Sequence, residues 1–187
     1  TLSLHDALPI YNPRYEEILQ KGLICIRCQL RCLASLISLN LDFTNCPKAT
    51  DKYFSKFLPE TRHLRGLKIF IISFASCTNI TNLTLRTLKY TLRNFVNLQT
   101  LGLRFDHCEK ITDEGMLELT KGLRTMKTLK ILCFIFSWCL GISEKSSRYI
   151  ERTFSSLKNL KIFNLNFSSC RQLNDLVFKH LRDGLKI

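Results

Sequence analysis

The stretch Leu98-Gln-Thr-Leu101-Gly-Leu103-Arg104-Phe105-Asp106-His107-Cys108-Glu-Lys-Ile111-Thr112-Asp113 decides the fold, because it comes back. Shifted in steps of 31 residues, its opening Leu falls on Leu36, Leu67, Leu98, Leu129 and Leu160. Its Phe falls on Phe43, Phe74, Phe105, Phe136 and Phe167, and its Cys on Cys46, Cys77, Cys108, Cys139 and Cys170. No insertion or deletion interrupts the series. Self-similarity at a fixed period of about 20–50 residues is the mark of stacked supersecondary units.

Each unit has the same internal logic. Leu101, Leu103 and Phe105 alternate, so they point to one side of a strand. A turn follows around Cys108. Then come an apolar residue, a small polar one and usually an acid: Ala49-Thr50-Asp51, Ile80-Thr81-Asn82, Ile111-Thr112-Asp113, Ile142-Ser143-Glu144 and Leu173-Asn174-Asp175. These side chains suit a helix start, where they accept orphan N–H groups and meet the positive end of the dipole. Met116, Leu119 and Leu123 then form the stripe of a helix. Neither strand nor helix buries its apolar side alone, so the expectation is an α/β stack with a parallel sheet on one side and helices on the other. Strands sit about 4.8 Å apart and helices need more room, which curves the stack with the sheet inside.

Working outward, five units run 36–66, 67–97, 98–128, 129–159 and 160–187, the last cut short. Residues 11–35 read as the helical half of a preceding unit, with Leu23, Ile26, Leu30 and Leu33 at helical spacing. Residues 1–10 resemble one translated frame of a sequencing-library adapter and are set aside as non-native. Setting them aside removes Asp6 and moves the formal net charge from +13 to +14.

The 28 Lys and Arg against 15 Asp and Glu make the chain strongly basic, and 45% hydrophobic residues suffice for a packed core. No stretch reaches the roughly 20 apolar residues of a membrane helix. Of nine Cys, five are locked to the period, which reads as a column of small buried hydrophobes with weak donors. With no secretory signal, the expected setting is reducing: cytoplasmic, or alternatively nuclear, with free thiols.

The pattern L-x-x-L-x-L-x-F-x-x-C-x-x-I-T-D resembles a leucine-rich repeat of the cysteine-containing class, within the ribonuclease-inhibitor-like superfamily and as found in F-box substrate receptors. The resemblance covers residues 36–187. It implies a curved right-handed leucine-rich-repeat solenoid of period 31, with the parallel sheet on the concave face and helices on the convex face. It implies a protein-interaction scaffold or recognition module. As an alternative it implies the substrate-receptor region of an F-box-type ubiquitin ligase.

In such an architecture the strand residues between the core positions face a partner. They are Asn40, Asp42 and Thr44; Ile71, Ser73 and Ala75; Gly102, Arg104 and Asp106; Cys133, Ile135 and Ser137; Asn164, Asn166 and Ser168. Ile71, Cys133 and Ile135 are apolar where exposure is expected, and Trp138 falls beside them. The excess charge lies elsewhere, on the return to each strand. Arg31, Arg62, Arg93, Arg124 and Lys186 share one repeat position, broken by Ser155; Arg65, Lys127 and Lys158 form a second column, and Lys68, Lys130 and Lys161 a third. A basic edge of this kind attracts nucleic acid or acidic surfaces. Its plainer reading is a solvated face that keeps a stack soluble.

Cys25-x-x-Cys28-x-x-x-Cys32 puts three thiols near one helix face, but zinc wants four ligands and no fourth is near. Incidental exposed cysteines are the expectation. His63, His107 and His180 occupy different repeat positions, and no acid–base pair or phosphate loop recurs. The chain is therefore read as a non-enzyme with no cofactor and no metal, whose partner is a protein.

Overall fold

The computed structural model describes residues 15–30, 32–170 and 173. The adapter-like segment, Arg31, Asn174, Asp175, His180 and Lys186 lie outside them. The elements are α1 (Tyr15–Leu30), β1 (Ser38–Asp42), α2 (Asp51–Phe57), a 3-10 helix (Leu58–His63), β2 (Ile69–Ser73), α3 (Asn82–Leu92), β3 (Thr100–Arg104), α4 (Asp113–Leu123), β4 (Ile131–Ile135), α5 (Glu144–Ser156) and β5 (Ile162–Asn166). The fold is α/β. All five strands lie in one parallel sheet, in the order β1-β2-β3-β4-β5.

The register equals the sequence period, so equivalent residues form straight columns across the sheet. Leu39, Phe70, Leu101, Leu132 and Phe163 make one column. The side chains that alternate inward meet the helices: Leu101, Leu103 and Phe105 bury against Met116, Leu119 and Leu123 in one continuous core. Burying each such side chain is worth about 1.5–3 kcal/mol.

Two columns knit the units. The rings of Phe43, Phe74, Phe105, Phe136 and Phe167 stack with centroids 5.5, 5.1, 5.0 and 5.7 Å apart, the near-parallel arrangement aromatic quadrupoles tolerate when offset. Beside them, the Sγ atoms of Cys77, Cys108, Cys139 and Cys170 each donate to a Phe carbonyl of the preceding unit: Phe43 (3.0 Å), Phe74 (3.1 Å), Phe105 (3.0 Å) and Phe136 (3.1 Å). Cys is thus selected for its S–H donor as well as its size. Burial pushes the Cys77 and Cys139 thiols up to about 12 and raises Cys108 as well. All nine cysteines are unpaired thiols.

The helix starts differ from expectation. Only Thr81 and Ser143 cap their own helices through the side chain; Thr50 and Thr112 do not. The residues after Thr50, Thr81 and Thr112 reach across to the next unit. Asp51 accepts from the Thr81 amide (3.1 Å) and hydroxyl (2.7 Å) and the Thr84 hydroxyl (2.5 Å). Asn82 accepts the Thr112 amide (2.9 Å) and donates to its hydroxyl (2.8 Å). Asp113 accepts the Ser143 amide (2.9 Å) and hydroxyl (2.5 Å) and the Ser146 hydroxyl. Burial pushes the Asp113 carboxyl up, but these donors outweigh it and hold it below the ordinary range.

The 36–66 unit also departs from its siblings. In place of one long helix it has α2 followed by the 3-10 turn, because Pro59 lacks the N–H that would continue α2 and instead opens the tighter helix. Farther along, α3 and α4 come close because Gly122 has no side chain: a Cβ there would lie 2.8 Å from the Lys89 Cα. Lys89 and Lys121 both bind Glu118 at 2.5 Å. The bonds from Lys121 and then Lys89 hold the Glu118 carboxyl down at about 2.

Candidate functional site

The sheet face away from the helices carries three columns. They are Ser38-Ile69-Thr100-Ile131-Ile162, Asn40-Ile71-Gly102-Cys133-Asn164 and Asp42-Ser73-Arg104-Ile135-Asn166. Of the residues expected to meet a partner, Ile71, Arg104, Asn164 and Asn166 are exposed, and Asn40, Asp42, Asp106, Cys133 and Ile135 are half-buried. Ser73 is a correction. It is 8% exposed, its hydroxyl lies 2.8 Å from the Thr44 hydroxyl, and it is spent between β1 and β2 rather than offered to a partner. Ala75 and Ser137 are likewise buried, and so is Gly102, over which Ile71 leans. A Cβ on Gly102 would meet Ile71 Cγ2 at 3.1 Å, so the missing side chain lets Ile71 lie flat. Asp42 and Asn166 turn back on their own chains, accepting the amides of Thr44 and Ser168 (both 2.9 Å).

At the middle of the face Arg104 Nε donates to Asp106 Oδ2 (3.1 Å). Cys133 lies next door on β4; burial raises its thiol, and the Arg104 charge partly offsets that. Ile71, Ile131, Cys133 and Ile135 make the surroundings apolar. Beneath the rim, the Ser137 hydroxyl is buried without a hydrogen-bond partner among the described residues.

The rim itself has an unusual backbone. Asn45, Ser76, His107, Trp138 and Ser169 occupy one repeat position, and all have φ between 56° and 61°. There the amides of Asn45, Ser76, His107 and Trp138 each bond the carbonyl of the next unit's equivalent turn. The turn is thus a requirement of the stack. Asn accepts the left-handed region readily; a bulky residue does so only at a cost. His tolerates that region as Asn does and Trp does not, yet Trp138 stands there beside His107, both exposed, Trp138 at 46%, with rings stacked 5.4 Å apart at 11°. Reading the chain residue by residue misses this pairing, because it sets His107 only against His63 and His180. The shared 31-residue spacing of His107 and Trp138 was the available signal. The outer column of Ile69, Thr100 and Ile131 was missed as well, although the same two-residue alternation extends to it.

At the opposite edge, Arg62, Arg93, Lys127 and Lys158 are exposed and Arg124 is half-buried. Arg62, His63, Arg65, Arg93, Asn94 and Val96 line an open depression of about 360 Å³. A neighbouring trough of about 560 Å³ is lined by Gly66, Lys68, Asn97, Gln99, Thr128, Lys130 and Asn159. Cys25, Cys28 and Cys32 are exposed, and no group of three or more metal-ligating side chains among the described residues is placed to hold an ion. No helix among them is long and apolar enough to cross a membrane.

No protein-family model and no curated protein sequence matches this chain. Solved structures do. A tropomodulin C-terminal domain from Caenorhabditis elegans superposes with a TM-score of 0.60 at 10% identity, covering 88% of this chain and 91% of that one. Leiomodin-1 actin-binding site 2 superposes with a TM-score of 0.60 at 16% identity, covering 86% of this chain and 87% of that one. These neighbours overturn the resemblance drawn from the motif: they are tropomodulin and leiomodin domains, not F-box leucine-rich-repeat proteins of the ribonuclease-inhibitor-like superfamily. The physical reason is that the motif's Leu, Phe, Cys and Ile-Thr-Asp positions serve the strand, the ring stack, the thiol bond and the helix start. They report how a unit packs, not its lineage.

Proposed function

We propose that the chain is a protein-recognition module whose contact surface is the open sheet face and its rim, centred on Arg104, Asp106, Cys133, Ile135, His107 and Trp138. One observation carries the reading. Trp138 occupies a left-handed backbone position that the stack demands, where Asn or Ser would cost less, and its ring is exposed instead of packed in the core. Tryptophan and arginine flanked by aliphatic surface are the composition of binding hot spots. The apolar neighbours Ile71 and Ile131 extend it.

Actin is the first partner to test, since one structural neighbour is named for an actin-binding site. The reading is of a binding protein without catalysis. His107 stands beside Cys108, but that thiol is buried, raised and bonded to the Phe74 carbonyl. Nine free thiols favour a cytoplasmic or nuclear setting.

Trp138 is the only Trp in the chain, so its emission is a built-in probe. Titration with monomeric actin, and co-sedimentation with filaments, should give saturable binding and a blue shift of Trp138 emission. Arg104→Glu should weaken the binding by about tenfold or more. Saturable binding with unshifted emission and an indifferent Arg104→Glu would place the contact elsewhere. Binding to neither form would remove actin as the partner.

A further inference from the structure

We infer that the return edge is a docking groove for an acidic polypeptide segment, a second binding surface on the edge opposite Trp138. It begins at the depression between the 3-10 helix and the end of α3, where Arg62, Arg65 and Arg93 converge with His63. Arg62 and Arg93 are equivalent residues of adjacent units, so the stack sets two guanidiniums side by side. No carboxylate lines the depression, and none of the three guanidiniums pairs with a described carboxylate.

Part of the charge has a structural use. Arg62 lies in the last turn of the 3-10 helix, and Arg93 and Arg124 are the C-caps of α3 and α4. Cations there offset the negative end of a helix dipole. That account does not reach the other two columns. Arg65, Lys127 and Lys158 sit three residues farther on, and Lys68, Lys130 and Lys161 six, beyond the helices and against the strand starts. Lys127 reaches the Ser156 carbonyl at 3.4 Å and Lys130 the Gln99 amide oxygen at 3.2 Å. Arg65, Lys68, Lys158 and Lys161 form no ion pair among the described residues.

The chemistry points to carboxylates on a peptide. Guanidinium forks pair bidentately with carboxylates. The cations are spread over successive units, so a segment laid along the stack passes several of them. Val96, 65% exposed in the wall of the depression, offers an aliphatic contact between charges. No Phe, Tyr or Trp ring lines either trough, whereas single-stranded nucleic acid is held by stacking on such rings. Among the described residues no apolar helical face lines the two troughs, as insertion into a bilayer surface needs.

The test is fluorescence anisotropy of a short dye-labelled glutamate- and leucine-containing peptide with the full chain. An oligonucleotide of equal charge and phosphatidylserine vesicles run alongside. Arg65→Ser with Arg93→Ser should weaken peptide binding by about tenfold. Lys48→Ser with Lys145→Ser, the same charge change on exposed residues of the other edge, should weaken it less than about twofold. Equal losses in the two double variants would make the effect one of net charge and overturn the groove. Tighter binding of the oligonucleotide or the vesicles than of the peptide would overturn the assignment to a polypeptide. Melting curves of both variants establish that the fold is retained. The outcome is independent of Trp138, whose emission reads the other surface.

Discussion

The two edges of the sheet use the same period in opposite ways. At the turn edge, where strands end and helices begin, a polar residue finds a different partner in the next unit. Asp51 meets Thr81 and Thr84, and Asp113 meets Ser143 and Ser146. At the return edge the register sets like beside like, Arg62 next to Arg93 next to Arg124. A repeated polar group is structural when its complement lies one unit on, about one residue out of phase. It stays available when the period brings up only its own copy. Asp51 and Asp113 of the turn edge should therefore govern stability, and the Arg62, Arg93 and Arg124 column of the return edge should not.

The largest effect belongs to the column behind the turn edge. Phe105→Ala opens the ring stack at its centre, where the side chain is fully buried, and should cost about 3–5 kcal/mol in urea unfolding. Asp113→Ala leaves the Ser143 amide and two hydroxyls without their acceptor. About 2 kcal/mol is expected for a charge-assisted set in a half-buried position. Arg93→Ser should stay within about 0.5 kcal/mol in the same assay. If Arg93→Ser costs as much as Asp113→Ala, the contrast between the edges is broken.

The parts legible in the sequence were those that repeat against themselves. Leu, Phe and Cys columns need only their own copies, so a period of 31 already contains the parallel α/β stack and the buried thiols. The clamps were hidden because their partners are unlike residues 30 and 33 positions away. At the head of a helix, Asp113 reads as a dipole or capping residue until the next unit stands beside it. The face was legible by alternation, which placed Ile71, Arg104 and Cys133 on it. Ser73 was misplaced because its burial depends on the Thr44 hydroxyl of the neighbouring unit. Pro59 stood in view, but its consequence, a 3-10 turn in place of the end of α2, depends on how the chain continues after it. The family reading failed for a related reason: the motif lists what a unit needs in order to pack, and that need does not single out one family.

A smaller effect, and one with a pH signature, comes from Glu118, midway between the edges. Its carboxyl is held at about 2 in the folded chain, against an ordinary 4.5. The folded value is depressed, so the stabilisation is complete above pH 4.5 and disappears as pH falls toward 2. Glu118→Gln should cost about 1 kcal/mol at neutral pH, after allowance for screening of the partly exposed Lys121. The gap from the parent chain should close on acidification. A gap that stays constant from pH 7 to about pH 2 would mean that packing of α3 on α4, not the charge, is what the residue supplies.

The smallest effect on stability should be at Trp138, only two residues from the buried Phe136. Trp138→Gly removes a large ring but little buried area, since the side chain is 46% exposed and its main contact is the exposed His107. It also relieves a left-handed backbone position, a gain offset by the greater freedom of glycine in the unfolded chain. The two terms oppose each other, so the free energy of urea unfolding should change by no more than about 0.5 kcal/mol. Phe136→Ala in the same turn should cost about 3–5 kcal/mol. A marked loss of stability in Trp138→Gly would make the ring part of the stack, and the rim would join the structural columns. A neutral result leaves an exposed aromatic at a costly backbone position with no folding role, which is the signature expected of a residue kept for a partner.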